Sequence, residues 1–209
     1  GTLREAGLLE NTWLLFTSDH GDSMGDHGLW FKSNFTAGAC NIPFILVPPS
    51  AWKREGGELG ESWMPGLTND SPVGLQDILP TCLEMAGMPV PDGLDGRSLL
   101  PLVRQPVQSS VRDTILGEFG HVGFRSFMVS DGKWKYIWFE EDGVELLFDL
   151  QRDPKETRDL SVHEAYGEQL AYWRDVLAQK LAAREADPAV RDGRLTPAGE
   201  ARPLSDLER

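Results

Sequence analysis

"TWLLFTSDHGDSMGDHGLWFK", residues 12–32, carries an unbroken apolar run, Trp13 to Phe16, directly into Thr17, Ser18, Asp19, His20 and Gly21. A continuous run without polar alternation reads as a strand covered on both faces, and the parallel strands of α/β sheets are covered in that way. Open α/β sheets place ligand sites at the carboxyl ends of such strands, where Ser18, Asp19 and His20 fall. On a tight turn at Gly21, a carboxylate and an imidazole can both face one divalent cation; imidazole suits Mn or Zn better than Ca, which prefers oxygen. A second pair, Asp26-His27, follows, and Lys32 closes the stretch as a point charge able to hold an anionic oxygen. A loop of solvated charges gives the same letters, because Asp-His-Gly is too short to decide the matter without context.

Working outward, "IPFILVPP" at 42–49 has the same continuous apolar character, and "TILGEF" at 114–119 is a weaker third strand. Three parallel strands make a thin sheet, so further strands are expected upstream. The opening "TLREAGLLENT" reads as the last turns of a helix and a loop, and the chain starts at Gly1 rather than Met. A polar, Gly-rich loop is expected over 50–70. A helix should start near Asp77 or Ile78 and stop at Gly87, with Leu79, Leu83 and Ala86 on one face; Pro80 is tolerable only in its first turn. Asp92-Gly93 and Asp95-Gly96 mark turns. Beyond residue 121 the pattern changes to short aromatic and β-branched runs, 124–130, 134–139 and 145–150, separated by Asp131-Gly132 and Asp142-Gly143, which are hairpin signals. Ser161 with Glu164 forms a capping-box pattern before Tyr166, Leu170, Trp173, Leu177 and Leu181, which recur at helical spacing and predict a helix over about 162–185. The expected organisation is an α/β part with a mostly parallel sheet over 1–120, an antiparallel sheet packed with a long helix over 121–186, and an extended tail from 187 to 209.

Composition sets limits on function. The 209 residues include 33 acidic and 20 basic side chains, a net charge of −13, which opposes general attraction to nucleic acid or anionic membrane surfaces. An anionic small substrate therefore needs a local cationic pocket. No run reaches the length of a membrane span. The two cysteines, Cys40 and Cys82, are too far apart for a CxxC site and too few for a disulfide framework.

Several segments match one family in order. "TSDHGDSMGDHGLWFK" resembles the stretch of the sulfatases in the alkaline phosphatase superfamily where a strand ends in Ser-Asp-His-Gly or Ser-Asp-Asn-Gly and leads to Gly-Asp-His-Gly and an aromatic-Lys pair. "NIPFILVPP" is similar to a following strand of that family. "GLQDILPTCLEMAGMPVPDGLDGRSLLPLV" resembles its Asp-x-x-Pro-Thr helix and Asp-Gly-x-Ser-Leu loop. "DGKWKYIWFEEDGVELLFDLQRDPKETRDLS" resembles its C-terminal sheet with the Phe-Asp-Leu-x-x-Asp-Pro-x-Glu turn. The resemblance spans roughly residues 7–183 and implies a partial alkaline-phosphatase-like fold.

The resemblance also implies roles. Asp19 and His20 correspond to metal ligands, the His matching the choline-sulfatase and phosphonate-monoesterase branch, and Lys32 corresponds to the lysine that bridges sulfate ester and nucleophile. Asp26 and His27 would orient the loop or border the leaving group, and His121 would approach the substrate mouth; a structural role is the plainer reading of all three. His163 is expected in solvent. The implied cofactor is one divalent metal, Ca2+ first, with Mn2+ or Mg2+ as alternatives. The family's Cys-x-Pro-Ser-Arg or Ser-x-Pro-x-Arg motif, whose first residue becomes formylglycine, is absent, as is the preceding Asp-Asp metal pair. Neither Cys40 nor Cys82 has the required Pro and Arg offsets, and Asn41 stands where the family often has Arg. The chain thus reads as the C-terminal half of a sulfuric ester hydrolase, with the nucleophile expected in an N-terminal half. A phosphonate monoester or phosphodiester hydrolase of the same superfamily, or a non-catalytic ester-binding module, are the alternatives. The expected partners are a small anionic sulfate ester and the N-terminal half, with no nucleic acid. Oligomerisation is compatible with the sequence, and cytoplasm, periplasm and secretion stay open.

Overall fold

Alternating side chains decide the C-terminal sheet. In a computed structural model that describes residues 1–54, 66–104 and 110–199, four strands pair antiparallel in the order β3-β4-β5-β6: Ile115–Phe119, Ser126–Ser130, Trp134–Phe139 and Glu145–Asp149. Because neighbouring residues point to opposite faces, Phe127, Val129, Tyr136, Trp138 and Leu147 line one side. They pack on Trp173, Leu177 and Leu181 of the helix Gly167–Ala182. Met128, Ile137 and Phe148 line the other side with Phe35. Both hairpin glycines, Gly132 and Gly143, sit at positive φ, and the Asp131 carboxylate accepts the amides of Lys133 and Trp134 at 2.8 and 2.7 Å.

Trp173 is 1% exposed, and its indole nitrogen has no hydrogen-bond partner among the described residues. Trp173→Ala should therefore cost about 3–5 kcal/mol in urea unfolding, whereas Trp173→Phe, which gives up no hydrogen bond and keeps much of the volume, should cost far less.

Contacts divide the chain into two units, Gly1–His20 with Ile42–Asp113, and Gly21–Asn41 with the chain from Thr114 onward. In the first, strands β1 (Leu14–Thr17) and β2 (Phe44–Val47) pair antiparallel, with Leu14 opposite Val47 and Thr17 opposite Phe44. This corrects the parallel pairing expected from the apolar runs. An apolar run reports burial, not direction, and a parallel pair needs a crossover packed on its own sheet. Here the connection contains only a three-residue 3-10 turn, Asp26–Gly28, and the four-residue helix Ala37–Cys40, and Gly21–Asn41 within it belongs to the other unit. Burial on both faces is not seen either: Phe16 and Ile45, facing each other in register, are 62% and 53% exposed. Ile115–Phe119, expected as a third parallel strand, is instead the edge of the antiparallel sheet.

The central helix runs from Ile78 to Met85 and ends at Gly87 with φ +67. Its buried residues are Pro80 and Thr81, next to the fully buried Asp77, while Leu79 is exposed. A polar knot, not the Leu79-Leu83-Ala86 stripe, faces the unit. The Asp77 carboxylate accepts the amides of Gly74 and Arg97 at 2.9 and 2.8 Å and a two-pronged bond from Arg112. Thr81 takes the amide of Leu99 at 3.0 Å. Gly96 is needed for close approach: a Cβ there would lie 1.8 Å from the Gln76 carbonyl oxygen.

Two further expectations change. Ser161 does not cap the long helix, because its hydroxyl reaches the Glu145 carbonyl and the Asp159 carboxylate, and the regular helix starts at Gly167. The segment after Asp187 is packed: Val190–Arg191 and Arg194–Leu195 form a hairpin, Ala189 is fully buried, and Arg125 bridges Glu140 and Asp187 at 2.7 and 2.8 Å. Residues 55–65 of the expected polar loop and 200–209 of the expected tail lie outside the described residues.

Candidate functional site

Strand β1 delivers Ser18, Asp19 and His20 at its carboxyl end. The Ser18 hydroxyl donates to the His20 carbonyl at 2.7 Å, and the His20 amide donates to Asp19 Oδ1 at 3.0 Å. Both side chains lie to one side, with His20 Nε2 3.4 Å from Asp19 Oδ2. Two ligands of one cation, each at about 2.1–2.4 Å and at right angles, lie about 3.0–3.4 Å apart, so the spacing and donor types fit a shared divalent ion. Asp19 is exposed and His20 partly so. Two donors make only part of a coordination sphere, and no group of three or more His, Cys, Asp or Glu that could hold a metal occurs among the described residues.

Gly21–Asn41, the segment that follows, is held by its own backbone. Gly21 donates to the Ala39 carbonyl at 2.8 Å, and a Cβ at Gly21 would lie 2.0 Å from the Gly38 oxygen, so this glycine serves close approach. Further in, Ser23 donates to Phe31 O at 2.8 Å and Gly25 to Leu29 O at 2.9 Å, which folds the tip into a hairpin-like turn. Asp26 and His27 sit in a short 3-10 turn, His27 at φ +56, and Lys32 lies on the exposed side among Trp30 and Phe31. Ser23 is buried and takes the Asn34 amide at 3.0 Å.

The base of this loop is fixed by two residues that the sequence reading quoted within motifs but did not single out. Lys135 of β5 donates to the Phe35 carbonyl at 3.0 Å, approaches Cys40 Sγ at 3.5 Å and pairs with Glu156. The other Glu156 oxygen accepts the Ala37 amide at 2.8 Å. The available signal was a lysine within the otherwise apolar Trp134–Phe139 strand. Burial pushes the Cys40 thiol up despite Lys135 beside it, which makes it a poor nucleophile. His121 lies in the exposed turn after β3, its ring 5.0 Å from that of Phe124, and His163 is exposed.

Residues 25–185 match the family described as N-sulphoglucosamine sulphohydrolase, C-terminal. The chain belongs to this sulfatase family. It is 37% identical over 184 residues to an arylsulfatase of Clostridium perfringens, covering 88% of this chain and 36% of that protein. A choline-sulfatase of Rhizobium meliloti is 32% identical over 202 residues, covering 91% of this chain and 36% of that protein. The sulfatase-family chain thus spans about a third of the length of the curated relatives it matches. Among solved structures, the phosphonate monoester hydrolase of Agrobacterium radiobacter superposes with a TM-score of 0.70 at 26% identity, covering 87% of this chain and 37% of that one. A protein solved in complex with its substrate D-glucosamine-2-N,6-O-disulfate has the same fold, with a TM-score of 0.73 at 22% identity over 86% of this chain and 36% of the other.

Proposed function

We propose that this chain is the C-terminal portion of a sulfuric ester hydrolase in which Asp19 and His20 supply part of a divalent metal site and Lys32 holds the substrate's anionic group. The observation that carries this reading is the pairing of Asp19 and His20, 3.4 Å apart at the end of β1, in a chain of a sulfatase family. When bound, the metal supplies Lewis acidity toward the sulfate oxygens. Asp19 and His20 would hold it from the end of β1, where the His20 amide fixes the Asp19 carboxylate. Lys32 brings a positive charge to the ester oxygens and stabilises the charge that develops on them. His27, which is exposed, borders the leaving group, and His121, also exposed, approaches the substrate mouth. The nucleophile would come from outside these 209 residues, since neither the Cys-x-Pro-Ser-Arg nor the Ser-x-Pro-x-Arg motif occurs in them. Of the metals named above, a mixed oxygen and imidazole set accommodates Mn2+ readily, and Ca2+ if further oxygens complete the sphere.

Titration calorimetry of the isolated chain with Mn2+ and Ca2+ should give a weak saturable heat that Asp19→Ala removes. The isolated chain should hydrolyse no 4-nitrophenyl sulfate, while chelation should abolish turnover in the full-length polypeptide. Equal heats from wild type and Asp19→Ala would remove the metal assignment. The likeness to the phosphonate monoester hydrolase supports a second reading, in which the ester is a phosphonate or phosphodiester. Faster cleavage of a phenylphosphonate ester than of the sulfate ester by the full-length polypeptide would establish it.

A further inference from the structure

We infer that Lys135 and Glu156 are positioning residues for Lys32: their buried pair fixes the base of the 21–41 loop to the C-terminal sheet, and through it the cation near the loop's tip. The inference rests on the role proposed for Lys32. Three observations carry it. First, the pair is committed to the loop. Lys135 and Glu156 are 5% and 2% exposed, and apart from their mutual bond, their side-chain hydrogen bonds go to Phe35, Ala37 and Cys40, about a hundred residues away in sequence. A buried ion pair is expensive to desolvate and is no general route to stability, so its retention calls for a specific use. Second, Glu156 sits at φ +57, uncommon for a residue with a side chain. The turn around it holds that conformation: Glu156 donates to the Asp153 carbonyl at 3.0 Å, and Asp153 accepts the Arg158 amide at 2.8 Å and the Thr157 hydroxyl at 3.1 Å. The result is a carboxylate aimed at the Ala37 amide. Third, the same stretch of loop has an apolar anchor. Phe35 packs against Met128, Ile137 and Phe148, and Gly117 leaves room for it, since a Cβ there would lie 2.7 Å from the Phe35 ring.

Polar and apolar anchors therefore meet at residues 35–40, while residues 24–32 project with Lys32 and two exposed aromatics. With the base fixed, the ammonium of Lys32 explores a smaller volume, which is what orienting a charge toward a developing anion requires.

The test uses the full-length polypeptide and the paired substitution Lys135→Met with Glu156→Leu. Removing both charges together avoids leaving one buried alone and keeps much of the volume. Hydrogen exchange should then be about tenfold faster for amides of residues 33–41, with those of β4 and β5 unchanged. For 4-nitrophenyl sulfate, kcat/KM should fall about tenfold or more, given that a displacement of about 1 Å can cost roughly 100-fold. In a Lys32→Ala background the paired substitution should change the rate less than about twofold, because residues acting as one unit are not additive. Glu156→Gln, which keeps the side chain's shape, should give a smaller rise in the same amides. Unchanged loop exchange, a rise shared equally by loop and sheet, or a rate loss that adds fully to that of Lys32→Ala would each overturn the inference. Wild-type turnover in Lys32→Ala alone would instead remove the role proposed for Lys32, and the exchange data would still decide whether the pair fixes the loop.

Discussion

Lys32→Ala in the full-length polypeptide should lower kcat/KM for 4-nitrophenyl sulfate by about 100- to 1000-fold, the range that losing one preorganised charge or donor at a developing anion produces, and should leave the metal content at the wild-type level. Asp19→Ala should remove metal and rate together. The two outcomes separate because the residues act on different partners. Asp19 would be a ligand, so its loss empties or weakens the cation site before any chemistry. Lys32 would act on the ester rather than as a ligand of the cation, so its loss should remove charge at the ester and leave the metal ligands in place. Arginine at position 32 should recover part of the rate, because the charge returns in a broader, forked shape that a point-charge site accommodates poorly. Metal content by plasma mass spectrometry beside steady-state kinetics makes the check. Full metal occupancy in Asp19→Ala, or undiminished turnover in Lys32→Ala, contradicts the assignment.

How much of this was legible in the sequence depends on whether a feature is local. The strands around Asp131-Gly132 and Asp142-Gly143 were readable because alternation, turn chemistry and short loops lie within about thirty residues and agree with one another. The long helix was readable from Trp173, Leu177 and Leu181, but its start was not: Ser161 had better partners in Glu145 and Asp159 than in the helix amides. The direction of β1 against β2 was not readable, since continuous apolar runs look alike in parallel and antiparallel pairs. For the site, the Asp19-His20 pair and Lys32 stood out as chemistry-bearing residues in one short stretch. Lys135 and Glu156 did not, because their role comes from partners about a hundred residues away, and a lone lysine in a strand carries no mark of what it holds. Asp77 and Thr81 were quoted as part of a motif, yet only the structure gives the reason for the motif's spacing: the carboxylate and the hydroxyl four residues on hold the amides of Arg97 and Leu99 from one loop.

That polar knot carries the largest stability effect expected in the first unit. Burial alone would raise the Asp77 carboxyl, but the Arg112 guanidinium and the amides of Arg97 and Gly74 outweigh it and hold the group below its usual 3.8. A carboxylate with a depressed value in the folded state contributes stability that is present above the unfolded value and is lost as pH falls through the folded one. The wild-type protein should therefore lose this contribution only in acid, below about pH 4. Arg112→Met leaves the fully buried carboxylate without its cation, and breaking a buried pair in this way costs about 3–5 kcal/mol. With Arg112 gone, burial is opposed only by the amides of Arg97 and Gly74, so the Asp77 carboxyl titrates higher in the folded variant than in the folded wild type and the stability it contributes above the unfolded value is reduced. The difference between wild type and Arg112→Met should accordingly be largest near neutral pH and shrink toward pH 3. Adding Asp77→Asn to Arg112→Met should recover much of the loss at neutral pH, because an amide can still accept from Arg97 and carries no charge to strand. Urea unfolding of wild type and both variants from pH 7 to pH 3, followed by circular dichroism, reads all three. Comparing variants cancels the acid sensitivity that Glu140, Glu145 and Asp187, also held below their usual range against burial by arginine partners, bring from the other unit. A difference that stays constant with pH would mean that Arg112 stabilises this unit by packing, and that the Asp77 charge has no part in it.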